Sequence, residues 1–305
     1  MADTKPVYKY TNGSWEKQNA YQYTNGQWVE ISSNFVPPTP TPNLVYTLSS
    51  DGTYYIVGTG FTSIEAINQD TSGGNGGSGL NSSWTGGDLV IPNTYNNKPV
   101  LAIAPKAFYN VNNIDSVYVY NGITTIGHRA FQSYPDENRL ETVQLPSSVT
   151  NLTPNSGRLF WGRAGLESAI LNCSAQNGDY RNMFYNCSNL TNLDLSGLTG
   201  QNITDVSYMF YDLTNLTNLD LSGLTGQNIT DVSYMFAGCS QLQRLDIRNF
   251  DFSNVNKDSG IFGNSGVTYI PVNCLIIVKD NSAKSWVLNR MPQLKNVKTV
   301  AELGE

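Results

Sequence analysis

The apolar residues of this chain recur with a period close to 26 residues over much of its length. The 22-residue segment Asn189–Phe210, N-L-T-N-L-D-L-S-G-L-T-G-Q-N-I-T-D-V-S-Y-M-F, returns unchanged at Asn215–Phe236. A phenylalanine marks each unit, at Phe108, Phe131, Phe160, Phe184, Phe210, Phe236 and Phe262, with spacings of 23, 29, 24, 26, 26 and 26 residues. The long spacing holds a loop-like insert, S-Y-P-D-E-N-R, after Phe131. Each phenylalanine is followed by an apolar triplet in the pattern L-x-x-L-x-L. Leu190/Leu193/Leu195, Leu216/Leu219/Leu221 and Leu242/Leu245/Ile247 are the regular sets. Ile114/Val117/Val119, Leu140/Val143/Leu145 and Leu166/Ala169/Leu171 are earlier variants, and Val267/Ile270/Val272 is degenerate. The alternating x-L-x-L portion predicts a short strand with its leucines inward. The glycine-bearing G-L-T-G-Q-N-I-T-D stretch is expected to turn the chain, and V-S-Y-M-F to return on the convex side with Met and Phe in the core. No unit can bury its apolar face alone, so the units must stack into a solenoid with one continuous apolar column.

The ends of the array read differently. L-V-Y-T-L-S-S-D-G-T-Y-Y-I-V (44–57) and G-D-L-V-I-P-N-T-Y-N-N-K-P-V (87–100) predict a strand-rich N-terminal cap over 44–102, ahead of repeats over 103–273. Within the cap, T-S-G-G-N-G-G-S-G (71–79) is expected to be a flexible loop, and it lacks the Lys-Ser/Thr of a phosphate-binding loop. The tail, 274–305, predicts a strand and then a capping helix from about Ser282, which would protect the last sheet edge. Residues 1–36 carry an unrelated repeat, Y-T-N-G-S-W (10–15) and Y-T-N-G-Q-W (23–28). Asn-Gly between aromatic alternating runs predicts two β-hairpins. A lone hairpin is marginal in water, so Tyr10, Trp15, Tyr23 and Trp28 are expected to serve anchoring or self-association, with carbohydrate binding through the tryptophans as the alternative. The proline-rich stretch over 37–43 is expected to be a semi-rigid spacer.

Charge and composition narrow the function. A net charge of -6 and a pI near 4.8 argue against nucleic-acid partners and against docking on anionic lipid. The opening M-A-D-T-K-P-V-Y-K-Y has no leader pattern, no apolar run suits a membrane span, and the C-terminus carries no wall-sorting pattern. Four cysteines have no metal spacing. Cys187 and Cys239, two repeats apart, would sit roughly 10 Å from one another on sheet spacing, too far for a disulfide. All four are expected to be buried free thiols. The single histidine, His128, gives little basis for catalysis, so no catalytic residue, metal or cofactor is expected. One arrangement on the strands is a candidate for ligand binding. Asp194, Asp220 and Asp246 fall at one strand position of successive repeats and are expected to face outward as an acidic ladder, with Arg244 and Arg248 beside Asp246. Tyr118 and Tyr120 extend that face toward the front. A solvated polar face is the plainer reading of the same residues.

I-A-P-K-A-F (103–108), I-G-H-R-A-F (126–131) and N-M-F-Y-N-C-S-N-L-T-N-L-D-L (182–195) resemble the BspA-like leucine-rich repeats of bacterial and phage surface proteins, from about Leu44 to Glu305. The resemblance implies an α/β-type repeat solenoid dominated by β, a leucine-rich-repeat array with parallel strands, and a role in adhesion. An anchoring hairpin module, a spacer and the missing export signal lead to the expectation of a phage virion protein, in a tail, baseplate or head fibre. Its partners would be a host cell-surface protein or glycan and other virion proteins, and it would be a homo-oligomer. A bacterial cell-surface adhesin is the alternative, and a polysaccharide-degrading virion enzyme a third.

Overall fold

The computed structural model describes residues 39–70, 77–134, 139–152, 157–173, 180–196, 198, 202–263 and 269–304, and the backbone alone of residues 8–11, 14–17, 20–24, 27–31 and 177–179. The chain forms two compact units, Met1–Pro40 and Thr41–Glu305. In the first, Tyr8–Thr11 pairs antiparallel with Ser14–Lys17, and Ala20–Thr24 with Gln27–Ile31. Tyr10 lies opposite Trp15 and Tyr23 opposite Trp28. The Asn-Gly pairs between these strands, and the glycine-rich stretch 71–76, lie outside the described residues.

The second unit is a parallel solenoid with three faces. The x-L-x-L segments build the first. Gly87–Ile91, Ile114–Val119, Thr142–Leu145, Ser168–Leu171 and Asn192–Asp194 pair in that order, all parallel. Asn218–Asp220, Arg244–Asp246, Leu275–Val278 and Val297–Thr299 form a separate parallel sheet. Leu89, Val117, Val143 and Ala169 share one inward register and are buried, with Leu193 half-buried at its end, and Leu219, Leu245 and Ile276 repeat it in the second sheet.

The N-I-T-D segments, expected to be turn, form the second face instead. Thr125–Ile126, Asn151–Leu152, Asn177–Asp179 and Asn202–Asp205 continue a sheet begun by the cap strands Tyr46–Leu48, Tyr55–Val57 and Lys98–Ile103. The bridges Asp205–Asp231–Lys257 carry it two turns further. Asn151–Leu152 and Asn202–Asp205 each bury one side chain, Leu152 and Ile203. One inward residue between glycines is too short an alternation to show in a hydrophobicity window.

The third face is a stack of tight turns around the phenylalanines. The seven rings are buried and follow one another at centroid distances of 5.4, 5.7, 5.5, 6.2, 5.9 and 6.0 Å. Backbone amides tie turn to turn, as in Phe108 N to Ala130 O at 2.8 Å and Phe210 N to Met235 O at 3.1 Å.

Both ends of the array are covered. The expected spacer is shorter than 37–43, because Thr41 is built into the cap. Its amide donates to Val90 O (3.0 Å) and its hydroxyl accepts from Val90 N (2.7 Å). A threonine between prolines keeps a donor and a hydroxyl, which the prolines lack. A short helix, Ile64–Gln69, which the alternation does not reveal, is capped by Ser63. At the far end the helix is Asn281–Arg290, with Asp280 accepting from Ala283 N at its start. It is followed by an unforeseen strand, Val297–Thr299, and by a last helical turn, Val300–Leu303, held by a Thr299/Glu302 capping box. All four cysteines are buried thiols outside any disulfide. Burial raises the Cys187 thiol well above its usual range and pushes Cys239 and Cys274 up to about 12. Among the described residues no helix is long and apolar enough to cross a membrane.

Candidate binding surface

The outward strand positions anticipated from sequence do lie on one column of the first face. Val90, Tyr118, Gln144, Ile170 and Asp194 are register partners, and in the separate sheet Asp220, Asp246 and Ile277 are. The column is interrupted between Asp194 and Asp220, which belong to different sheets. An outward acidic ladder of three equal carboxylates does not form. Asp246 is only 1% exposed, because the two arginines beside it close over it. Arg248 grips both its oxygens, Nε to Oδ1 at 2.9 Å and Nη2 to Oδ2 at 2.6 Å, while Arg244 Nη2 reaches Oδ2 at 2.9 Å. A bidentate guanidinium satisfies a carboxylate as a ligand cation would. Asp194 and Asp220 instead close the strand ends by accepting from Ser196 N (2.9 Å) and Ser222 N (2.8 Å). Tyr118 is buried as well, edge-on to half-buried Tyr120 at 5.6 Å. Burial also raises the Tyr120 phenol above its usual range. Of the predicted strip, Asp220 is the residue left exposed. The described residues thus hold this face together more than they offer it to a ligand.

A second surface, which the strand pattern does not reveal, lies outside the phenylalanine ladder. Two positions per turn point outward there: the residue two before the phenylalanine and the one directly after it. The second position holds Tyr109, Trp161, Tyr185 and Tyr211, and in the turn with the insert Tyr134 stands in for Gln132. These rings make an unbroken chain: Tyr109–Tyr134 at 6.3 Å, Tyr134–Trp161 at 5.5 Å, Trp161–Tyr185 at 5.8 Å and Tyr185–Tyr211 at 4.7 Å. The first position carries Lys106, Arg129 and Arg158, then Asn182, Tyr208 and Tyr234. All six have positive φ, between 55° and 58°. This is a backbone conformation that glycine adopts freely and that side chains of this kind seldom do, and Gly260 supplies it in the last turn. The signal was present in sequence as K-A-F-Y, R-A-F-Q, R-L-F-W, N-M-F-Y and Y-M-F-Y, but it is visible only after the phenylalanines are placed inward.

The two halves of this surface differ. In the rear half the rings stack face to face, with Tyr185–Tyr211 at 3° and Tyr208–Tyr234 at 14°, so their faces cover one another. At the front, Tyr134 stands at 84° to Tyr109 and 90° to Trp161, and is 53% exposed. Lys106 Nζ lies 5.8 Å over the Tyr109 ring. Burial, then a hydrogen bond with Tyr134, raises the Tyr109 phenol, against the pull of Arg129 and Arg158.

His128 is buried behind this front edge, 1% exposed, with Nε2 3.7 Å from Asp70 Oδ2. Burial drives its pKa below 6.5, against the pull of Asp70 and with the push of Arg129 and Lys106. The unfolded chain therefore takes up a proton that the folded chain refuses, and stability falls as the pH drops below about 6.5. Urea midpoints of the wild type should decline from pH 7 to 5.5 more steeply than those of His128→Gln. Parallel declines would show that the imidazole stays charged in the fold.

Residues 90–176 match the BspA type leucine rich repeat region, in 6 copies, and residues 178–273 match a family described as Mycoplasma protein of unknown function, DUF285. No curated protein matches the chain. Among solved structures, the leucine-rich repeat protein of T. pallidum is 20% identical, with a TM-score of 0.52 over 85% of this chain and 97% of that one. A leucine-rich repeat protein from Bacteroides ovatus is 14% identical, with a TM-score of 0.29 over 88% of this chain and 77% of that one. The chain is a leucine-rich-repeat solenoid, and its front repeats are similar to the BspA type.

Proposed function

We propose that this protein is a non-enzymatic adhesin whose solenoid attaches to a polymer on a host surface. The observation that carries the reading is the outer side of the turn face, where aromatic rings follow one another in five successive turns from Tyr109 to Tyr211. The phenylalanine ladder beneath already supplies the core. Stacked repeats present the same groups at a fixed spacing, which suits an extended ligand that itself repeats. The first unit, with its two aromatic hairpins, would fasten the solenoid to a larger particle and hold it clear. A virion tail, baseplate or head fibre suits that division of labour. Similarity to bacterial BspA-type repeats supports display on a bacterial envelope equally well.

The full chain, fluorescently labelled, should adsorb saturably to intact cells of a susceptible bacterium or host, and unlabelled chain should compete. Adsorption that never saturates, or none on any cell type of a broad panel, overturns the adhesive reading. Immunogold labelling of virions and of cell envelopes from the native source separates the two placements.

A further inference from the structure

The front half of the turn face combines open aromatic rings with a row of cations on a chain whose net charge is -6. Lys106, Arg129 and Arg158 occupy one position in three successive turns, beside Tyr109, Tyr134 and Trp161. Arg129 is half-buried among them. Tyr134, packed perpendicular to Tyr109 and Trp161, is 53% exposed, in contrast to the closed stacks of the rear half. An apolar sugar face lies on such a ring, while a carboxylate on the same sugar meets the guanidinium. The turns repeat along the array at about the 4.8 Å strand spacing, so a ligand that itself repeats can meet the same pair of groups more than once.

From this pairing of an exposed ring with a row of cations we infer that the front of the turn face, centred on Tyr134 and Arg129, binds a carboxylated glycan. The inference rests on the adhesive reading above and names the chemistry of its ligand. Nucleic acid is a poorer occupant, since the cations form one short row on an acidic chain and phosphate backbones need a wider basic surface.

The test is affinity electrophoresis of the full chain in gels containing alginate, a polyuronate, against alginate with its carboxyls reduced and against neutral dextran. Native alginate should retard the wild type, and neither neutral polymer should. Tyr134→Ala and Arg129→Gln should each weaken retention about tenfold, the loss of one stacking or charge-assisted contact, with unchanged thermal unfolding. Equal retardation by native and carboxyl-reduced alginate, or retention untouched by both variants, overturns the inference. So does retention by single-stranded DNA without retention by alginate. If alginate fails while saturable adsorption to cells persists, the ligand class is wrong and the adhesive reading stands. If adsorption fails as well, both fall.

Discussion

Replacing Arg163 by methionine is expected to lower the free energy of unfolding by about 3 kcal/mol, the cost of stranding several buried acceptors. Arg163 is fully buried three residues after the ladder phenylalanine Phe160. Its Nε donates to Phe131 O at 2.5 Å, Nη1 to Val111 O at 2.9 Å and Nη2 to Phe108 O at 3.3 Å. In most turns the phenylalanine carbonyl accepts from the amide three residues on, as with Cys187 N to Phe184 O at 3.0 Å. In the turn that carries the insert, Tyr134 N donates to Asn110 Oδ1 instead, and the Tyr134 ring points outward. Arg163 reaches back to repair that turn. Cys187 and Cys239 hold the same position and do a smaller version of the same job, with Sγ on Phe160 O (3.2 Å) and Phe210 O (3.1 Å). Burial brings the guanidinium down to about 10, still protonated at neutral pH. Arg163→Lys should recover only part of the loss, because an ammonium cannot fork to three carbonyls in this geometry. Urea titration of the three proteins checks this, and a methionine variant as stable as wild type would mean the carbonyls find other partners.

Truncating Phe210 to alanine should cost about 3–5 kcal/mol, the usual range for a large buried aromatic. Its ring is sandwiched between Phe184 at 6.2 Å and Phe236 at 5.9 Å, with interplanar angles of 7° and 3°. The hole would open in the middle of the column, where neighbouring turns are tied by backbone bonds and cannot close in. Because each repeat leans only on its neighbours, the loss should also make unfolding less cooperative, with a smaller denaturant slope. Circular dichroism in urea reads both quantities. A cost under about 1 kcal/mol, well below that range, would show that the ladder is not what couples the turns.

The fold was legible because its signals are long and repeated. The leucine alternation gave the first sheet, the phenylalanines the inner ladder, and the tail pattern a helix from about Ser282, close to its start at Asn281. The rear of the second sheet was not legible, since strands such as Asn151–Leu152 and Asn202–Asp205 bury a single residue, Leu152 or Ile203, among turn formers. The candidate site was legible in position but not in exposure. Equivalent strand positions correctly put Asp220 beside Asp246 in register. Sequence spacing, however, carries no measure of how far Arg244 and Arg248 would fold over their neighbour. The aromatic turn face was missed for the opposite reason. Its tyrosines vary with Lys, Arg and Asn at the same position, so no regular motif marks it until the phenylalanine beside them is known to point inward.

The central claim is that this solenoid binds through its turn face. Saturable adsorption of the full chain to susceptible cells should be compared for wild type, for the double variant Arg129→Gln/Tyr134→Ala, and for Asp220→Ala on the strand face. The double variant should lose most of its adsorption while Asp220→Ala keeps it. Loss with Asp220→Ala and none with the double variant would return the binding site to the strands.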